Sequence, residues 1–137
     1  MFGALDTSTS ALVAHRTRME VISANLANVN SIDDGNGNNV PFRRRLAILT
    51  PGADGSPAGR RGQGVHVKEI ELDRSAFRKV HAPDHPLADT SGYVNYPNID
   101  SMTEQINALE VSRAYEANIQ AAEATKTMMQ AALRLLA

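Results

Sequence analysis

Residues 98–137, NIDSMTEQINALEVSRAYEANIQAAEATKTMMQAALRLLA, form a long stretch that contains neither glycine nor proline. A second such stretch covers residues 4–34 near the other end of the chain. All six prolines, and every glycine except Gly3, lie between the two, within residues 35–97. Because glycine and proline interrupt helices, this distribution predicts two long terminal helices separated by an irregular middle region.

The C-terminal stretch carries a helix start signal and an apolar stripe. Ser101 and Glu104 are spaced as a capping box, and Asn98 is an earlier alternative cap. The apolar positions drift around the helix instead of keeping one seam. At about 1.5 Å per residue the helix would be about 55 Å long. A monomer of this size has little against which to bury such a helix, so we expect a partner interface in preference to a long surface helix.

The N-terminal stretch has a narrow coiled-coil-like stripe. A long apolar side chain recurs every seven residues, at Leu5, Leu12, Met19 and Leu26. A second row is apolar only late, at Ile22 and Val29, and is polar earlier, at Ser8 and His15. A helix with so incomplete a stripe is marginal alone in water, and we expect it to need a partner.

Asparagines mark the end of the first helix. Asparagine is a poor interior helix residue and a tolerated terminator, so the helix should stop within residues 25–31. Asn25 and Asn28 are three residues apart and share a face. Two interpretations stay open: a frayed end followed by a turn, or amides that link the helix end to a second helix or a loop.

The middle region contains signals for one small hairpin. Residues 42–50 predict a strand with a poor start at its arginines, and residues 65–72 predict a second strand with a break in alternation near Glu69, compatible with a bulge. Residues 33–39 are expected to form a polar loop, and residues 51–64 a mobile connection rich in glycine and proline. We therefore predict a mainly α fold divided into residues 1–32, 33–97 and 98–137.

Composition excludes several classes of protein. The formal net charge of -1 argues against a dedicated nucleic-acid binder. The absence of cysteine excludes disulfides and thiolate metal sites. No apolar run approaches the roughly 20 residues of a membrane span. The first residues also lack the basic start and apolar stretch of a secretory signal peptide, so any export should use another route.

Candidate catalytic and metal-binding motifs are weak. His81, Asp84, His85 and Asp89 cluster, but prolines at 83 and 86 interrupt the helix that would align them as ligands. No nucleophile elbow or phosphate-binding loop is present, so we expect no enzyme activity and no cofactor. The arginines at 43–45 and 60–61 lack interleaved aromatics, which favours a solvated face or an acidic neighbour over nucleic acid.

Two segments resemble a known family. Residues 19–30, MEVISANLANVN, closely resemble the N-terminal signature of bacterial flagellar rod and hook proteins, and residues 111–118, VSRAYEAN, resemble their C-terminal signature. Residues 82–98 and the chain length are similar to the proximal-rod members. The resemblance covers nearly the whole chain and is weakest across residues 33–64.

This resemblance implies a structural subunit that polymerises helically in the rod of the flagellar basal body. The terminal helices would pair as a coiled coil, and the middle would form a small β-containing element. The implied partners are copies of the chain, other rod proteins and the export-gate adaptor at the rod base. The implied route is the flagellar type III system, without a cleaved signal peptide, to a rod that crosses the periplasm without stable membrane insertion.

We expect thirteen side chains of the two helices at subunit interfaces: Leu12, Met19, Ile22, Asn25, Leu26, Asn28, Ile106, Leu109, Tyr115, Asn118, Ile119, Met129 and Leu133. Among them Asn25, Asn28, Tyr115 and Asn118 are hypothesised to fix the register between helices, because an unpaired buried amide costs about 1–3 kcal/mol. The competing function is a soluble coiled-coil adaptor or chaperone that binds one partner. Ordered helical polymerisation would separate the two.

Overall fold

The computed structural model describes residues 2–52 and 64–136. In chain order the elements are α1 (Phe2–Ala27), β1 (Arg45–Pro51), β2 (Val65–Leu72), β3 (Arg78–His81), β4 (Tyr93–Tyr96) and α2 (Ser101–Leu136). Long terminal helices therefore flank a middle with short strands, as predicted. Most of the predicted mobile connection lies outside the described residues, as do Arg60 and Arg61.

The first helix ends where its asparagines predict. The backbone N–H of Asn28 bonds the carbonyl of Ala24 at 3.2 Å, and the next residues form a turn. The Asn28 side chain also donates to the Ala24 carbonyl, at 2.9 Å. The Ala24 carbonyl thus accepts both the backbone and the side-chain N–H of Asn28 at the helix end.

The predicted capping box at the start of α2 is wrong. Asp100 caps the helix, because its carboxylate accepts hydrogen bonds from the backbone N–H of Met102 at 3.2 Å and of Thr103 at 3.3 Å. The Glu104 carboxylate instead bonds other side chains. Asn98 is not the cap either, since its amide donates to the hydroxyl of Ser75 at 2.9 Å.

Strands β1 and β2 form the predicted hairpin, including its bulge. The pairing is antiparallel and begins with Arg45 opposite Leu72. Ile48 lies opposite Glu69, but the next residue, Leu49, lies opposite Val67. Lys68 is therefore the extra residue, immediately before the predicted break at Glu69.

A second antiparallel hairpin, β3–β4, was not predicted. It pairs Arg78 with Tyr96 and His81 with Tyr93. Its connection is held by Asp89, whose carboxylate accepts the N–H groups of Ser91 at 2.8 Å and Tyr93 at 2.9 Å. Gly92 allows the chain to turn there, at a φ of 76°.

The core is small and lies where the two helices meet the strands. Helix α1 packs against α2 on one side and against the β1–β2 hairpin on another. The buried apolar side chains are Ala14, Val21, Ile22, Val94, Ile99 and Val111. Asn25 and Glu104 are buried among them at 1% exposure each. The fold is mainly α, and its centre is unusually polar for so small a core.

Helices α1 and α2 run antiparallel. Asn25, near the end of α1, contacts Glu104, in the first turn of α2. Within the part of the chain that the structure describes, no helix has both the length and the apolar character of a membrane span.

Candidate functional site

Asn25 joins the end of α1 to the start of β1 by pairing with a peptide group. Its Nδ2 donates to the carbonyl of Arg45 at 2.9 Å, and its Oδ1 accepts from the N–H of Arg45 at 2.9 Å. The Asn25 amide therefore bonds both the N–H and the carbonyl of Arg45, as a residue of a neighbouring strand would. The same Nδ2 also donates to Oε2 of Glu104 at 3.1 Å.

Glu104 completes a three-way junction. Its Oε1 accepts two hydrogen bonds from the guanidinium of Arg44, from Nε at 2.8 Å and from Nη2. Both carboxylate oxygens are thus satisfied by different elements, as a buried charge requires. We call the side chains of Asn25, Arg44 and Glu104 the polar junction; it connects α1, the segment before β1, and α2.

The polar junction sits beside an open cleft. Val21 and Ile22 of α1, Leu46 and Ile48 of β1, and Asn107 of α2 are among its lining residues. The described lining residues pair a carboxylate with an amide and arginines, but include no Ser, Thr, Cys or His that could serve as nucleophile or base. The geometry is therefore suited to holding α1, the segment before β1, and α2 in fixed relative positions.

Asn39 repeats the peptide-pairing arrangement elsewhere in the fold. Its Nδ2 donates to the carbonyl of Asn95 at 3.1 Å, and its Oδ1 accepts from the N–H of Asn95 at 3.0 Å. Nδ2 also donates to the carbonyl of Ile32 at 3.0 Å. The segment after α1 is thereby attached to β4.

Of the two interpretations left open for the arginines at residues 43–45, an acidic neighbour applies to Arg44, whereas Arg45 is exposed. Arg44 binds Glu104, and its side chain is 25% exposed. Arg43 donates to the carbonyl of Asp73 at 3.1 Å and lies over the ring of Phe77 at 4.3 Å. The acidic neighbour of Arg44 is in the same chain.

The thirteen predicted interface residues fall into three groups of exposure. Ile22 and Asn25 are buried. Eight are half-buried, namely Leu12, Met19, Leu26, Asn28, Tyr115, Asn118, Ile119 and Met129. Ile106, Leu109 and Leu133 are 57%, 61% and 66% exposed.

Only one of the three predicted register amides bonds between elements. Asn118 donates to the carbonyl of Ala114 at 2.8 Å, within its own helix. Asn28 bonds Ala24 and accepts from the hydroxyl of Ser31 at 3.0 Å, both local contacts. Asn25 alone links distant segments. Sequence reasoning missed its partners, the backbone of Arg45 and the carboxylate of Glu104, because contacts between distant segments leave no periodic signal.

Helix α2 buries small and polar residues along one side. Buried or half-buried positions recur at spacings of four and three, at Glu104, Ala108, Val111, Tyr115, Asn118, Ala122, Thr125, Met129 and Ala132. Large apolar side chains lie elsewhere on the same helix and are exposed: Met102, Ile106, Leu109, Met128, Leu133 and Leu135. Six of the large apolar side chains of α2 therefore lie on surface that the isolated chain leaves open.

Side chains of the His81–Asp89 cluster make contacts with residues near them in the fold. The His81 ring packs edge-on against Tyr93, with centroids 5.0 Å apart. His85 Nδ1 accepts the N–H of Leu87 at 3.1 Å. Among the described residues, no group of three or more His, Cys, Asp or Glu side chains is placed to hold a metal ion.

Several ionisable groups are tuned by their local contacts. The pKa of Asp100 is lowered first by the hydroxyl of Thr103 and then by the N–H of Met102. The N–H of Ser75 lowers the pKa of Asp73, and the N–H of Tyr93 lowers that of Asp89. Burial, followed by the nearby Arg18 cation, lowers the pKa of His15. These shifts accompany turns, caps and packing.

Comparison with known proteins gives the family. A model described as flagella basal body rod protein matches residues 5–31, and one described as flagellar basal body rod FlgEFG protein C-terminal matches residues 90–135. The flagellar basal-body rod protein FlgC of Bacillus subtilis is 39% identical over 145 residues, covering 98% of this chain and 97% of the relative. The chain belongs to the FlgC family of flagellar basal-body rod proteins.

Other FlgC proteins are similar over almost their full length. The FlgC protein of Salmonella typhimurium is 35% identical over 95% of this chain and 93% of its own. That of Borreliella burgdorferi is 33% identical over 99% and 97%. The two rod-family matches contain Asn25 and Glu104 of the polar junction, whereas Arg44 lies between them. This FlgC-family chain thus joins its two matched segments through a residue of the intervening region.

Proposed function

We propose that the chain is a structural subunit of the proximal rod of the bacterial flagellar basal body. It polymerises helically with other rod proteins to form the drive shaft and the export channel. The single observation that carries this function is the match, over nearly the full length, to FlgC proteins from three different organisms. The chain is a structural protein and not an enzyme.

The exposed faces of the helices support an assembly role. Helix α2 has α1 on one side, yet carries six large exposed apolar side chains elsewhere. Such surface on a soluble helix marks a contact with another molecule. Repeated contacts between unlike surfaces that do not close produce a helical assembly.

The terminal helices are proposed to pair as a coiled coil within this assembly. The spacing of four and three along the buried side of α2 supports that arrangement. The thirteen interface residues remain our candidates, with Ile106, Leu109 and Leu133 the most available to a neighbour. The division at residues 1–32, 33–97 and 98–137 is kept as the proposed domain organisation.

Neighbours in the assembly would be copies of the chain, other rod proteins and the export-gate adaptor at the rod base. The proposed route is export by the flagellar type III system to a rod that crosses the periplasm. The polar junction suits this route, because Asn25 and Glu104 are 79 residues apart in the chain. A chain that emerges end first can form the junction only after most of it has emerged.

The test is incorporation into purified basal bodies. A strain lacking the gene should be non-motile, and a tagged copy of the chain should restore motility and co-purify with hook–basal bodies. A soluble adaptor or chaperone would stay in the cytoplasm and be absent from that preparation. Recovery of motility without the chain in the basal body would reject the rod function.

A further inference from the structure

One asparagine in the loop after α1 is followed directly by glycine. The sequence has ten asparagines, and only Asn36 precedes a glycine, Gly37. Asparagine is chemically labile, because the peptide nitrogen of the next residue can attack the carbonyl carbon of its side chain. A glycine at that position presents the attacking nitrogen with no Cβ beside it. Asn36 therefore has the sequence context that most favours this reaction.

The loop that holds Asn36 leaves the attacking nitrogen accessible. Residues 33–38 are all exposed. Gly37 has a φ of 84°, which other residues rarely adopt, and a Cβ there would meet nothing within 4 Å. The N–H groups of Asn36 and Asn38 both bond the Asp34 carboxylate, at 2.9 Å and 3.3 Å. The N–H of Gly37 between them makes no hydrogen bond to a described residue, so its nitrogen is open to solvent.

The two asparagine side chains that follow in the same segment are held more firmly. Nδ2 of Asn38 donates to the Asp34 carboxylate at 3.1 Å, and the Asn39 amide pairs with the peptide group of Asn95. The pKa of Asp34 is lowered first by the Asn38 side chain, and of its hydrogen-bond partners the Asn36 side chain contributes least. The Asn36 side chain is therefore the least restrained of the three.

We propose that Asn36 is a site of spontaneous deamidation and that the resulting change stays within its loop. The peptide nitrogen of Gly37 loses its proton to hydroxide and forms a bond to Cγ of Asn36. The bond from Cγ to Nδ2 breaks, and the released nitrogen takes up a proton and leaves as ammonia. Water then opens the cyclic imide. Opening at Cγ gives aspartate, and opening at the backbone carbonyl carbon gives isoaspartate, in which the chain runs through the side chain.

The contacts at the base of the loop keep the modification local. Nδ2 of Asn39 donates to the carbonyl of Ile32 at 3.0 Å, which closes the loop on both sides of Asn36. The extra backbone atom of isoaspartate is therefore absorbed within the loop, and α1 and β4 stay in place. Either product adds a negative charge beside Asp33 and Asp34 on the surface of the middle region. This inference does not depend on the proposed rod function.

Mass spectrometry of the full-length chain tests the site. The folded protein is incubated in mildly alkaline buffer and then digested with trypsin, which releases residues 19–43 with six of the asparagines on one peptide. Deamidation exchanges an amide for a carboxyl group and adds about 1 Da. Fragmentation should place this gain at Asn36 at least about tenfold more often than at any other asparagine of the peptide.

Two glycine variants separate the chemistry from distortion of the loop. Gly37→Ala should slow the reaction by about tenfold, because its methyl group hinders the attacking nitrogen. Gly35→Ala brings similar backbone strain, at a φ of 77° with open space around it, but keeps the Asn36–Gly37 pair and should leave the rate within about twofold.

Two results would overturn the site: equal rates in the two variants, or a mass gain spread evenly over the six asparagines. The reacted protein should keep the circular dichroism of the fresh protein. A loss of helical signal on reaction would reject the claim that the change stays within the loop.

Discussion

Arg44 and Asn25 bind opposite oxygens of Glu104, and this carboxylate is 1% exposed. The contact joins residues from the two terminal helices and from the segment between them. A buried carboxylate is tolerated only when its charge and its lone pairs are satisfied, and here both conditions are met. A buried polar contact therefore links the helices in addition to the apolar core.

Replacing the charge at the centre of the junction should destabilise the chain. Glu104→Gln keeps the shape but leaves the partly buried Arg44 guanidinium without its anion. We expect a loss of about 1–3 kcal/mol in the free energy of unfolding, measured by urea titration followed by circular dichroism. The exposed pair Arg16–Glu20 provides the control, and Glu20→Gln should cost at most about 0.5 kcal/mol. Equal losses in the two variants would show that the junction contributes no more than a surface pair.

An isosteric change at Asn25 should be more damaging than the same change at Asn118. Asn25→Asp removes both donated hydrogen bonds and places a second carboxylate beside Glu104. We expect a loss of at least about 2 kcal/mol at neutral pH. Asn118→Asp loses one bond within its own helix and should cost about 1 kcal/mol or less. Thermal unfolding of the two proteins compares them directly, and a larger loss for Asn118→Asp would contradict the assigned roles.

A close approach between Gly64 and Ser10 predicts a specific steric effect. Gly64 has a φ of 82°, and a Cβ there would lie 2.4 Å from the Ser10 hydroxyl oxygen. That hydroxyl also accepts the N–H of Val65 at 3.1 Å. Gly35 has a similar φ of 77° with open space around it, so Gly35→Ala measures the backbone strain alone. Gly64→Ala should lower the melting temperature further than Gly35→Ala, and equal shifts would mean that Ser10 moves without cost.

Acid should lower the stability of the fold as Asp100 becomes protonated. The pKa of Asp100 is lowered by Thr103 and Met102, so the folded chain binds that proton less readily than the unfolded chain. The stabilisation is complete above the ordinary pKa of 3.8 and is lost as the pH falls through the lowered value. Asp100→Asn keeps a good cap but cannot ionise. Its stability should depend less on pH below about 4 than that of the parent, as measured by unfolding at a series of pH values. Parallel pH profiles would argue against the cap as a source of acid sensitivity.

The two helices and the first hairpin could be predicted because they depend on local sequence signals. Breakers confined to the middle give two helices, and alternation with a break near Glu69 gives a hairpin with a bulge. The second hairpin was missed, since its strands have only four residues each, too few for an alternation to stand out. Its turn depends on Asp89, whose role could be recognised only once its neighbours were placed.

The polar junction could not be predicted from local patterns. The spacing of Ser101 and Glu104 fits a capping box. In the structure Asp100 caps the helix instead of Ser101, and Glu104 binds the distant Arg44 instead of the helix start. The apolar stripe posed a related problem. Periodicity identifies residues that avoid water without saying whether the same chain or another covers them, so it could not show that Val111 is buried whereas Ile106 and Leu109 are exposed.

The most direct test of the rod function is a cryo-electron-microscopy map of the assembled basal body at a resolution that shows side chains. In that map the chain should occupy the proximal rod with α1 and α2 packed together, and neighbouring subunits should cover the exposed apolar side chains of α2, among them Met102, Ile106 and Leu109. A rod whose density is fully explained by other proteins would contradict the account.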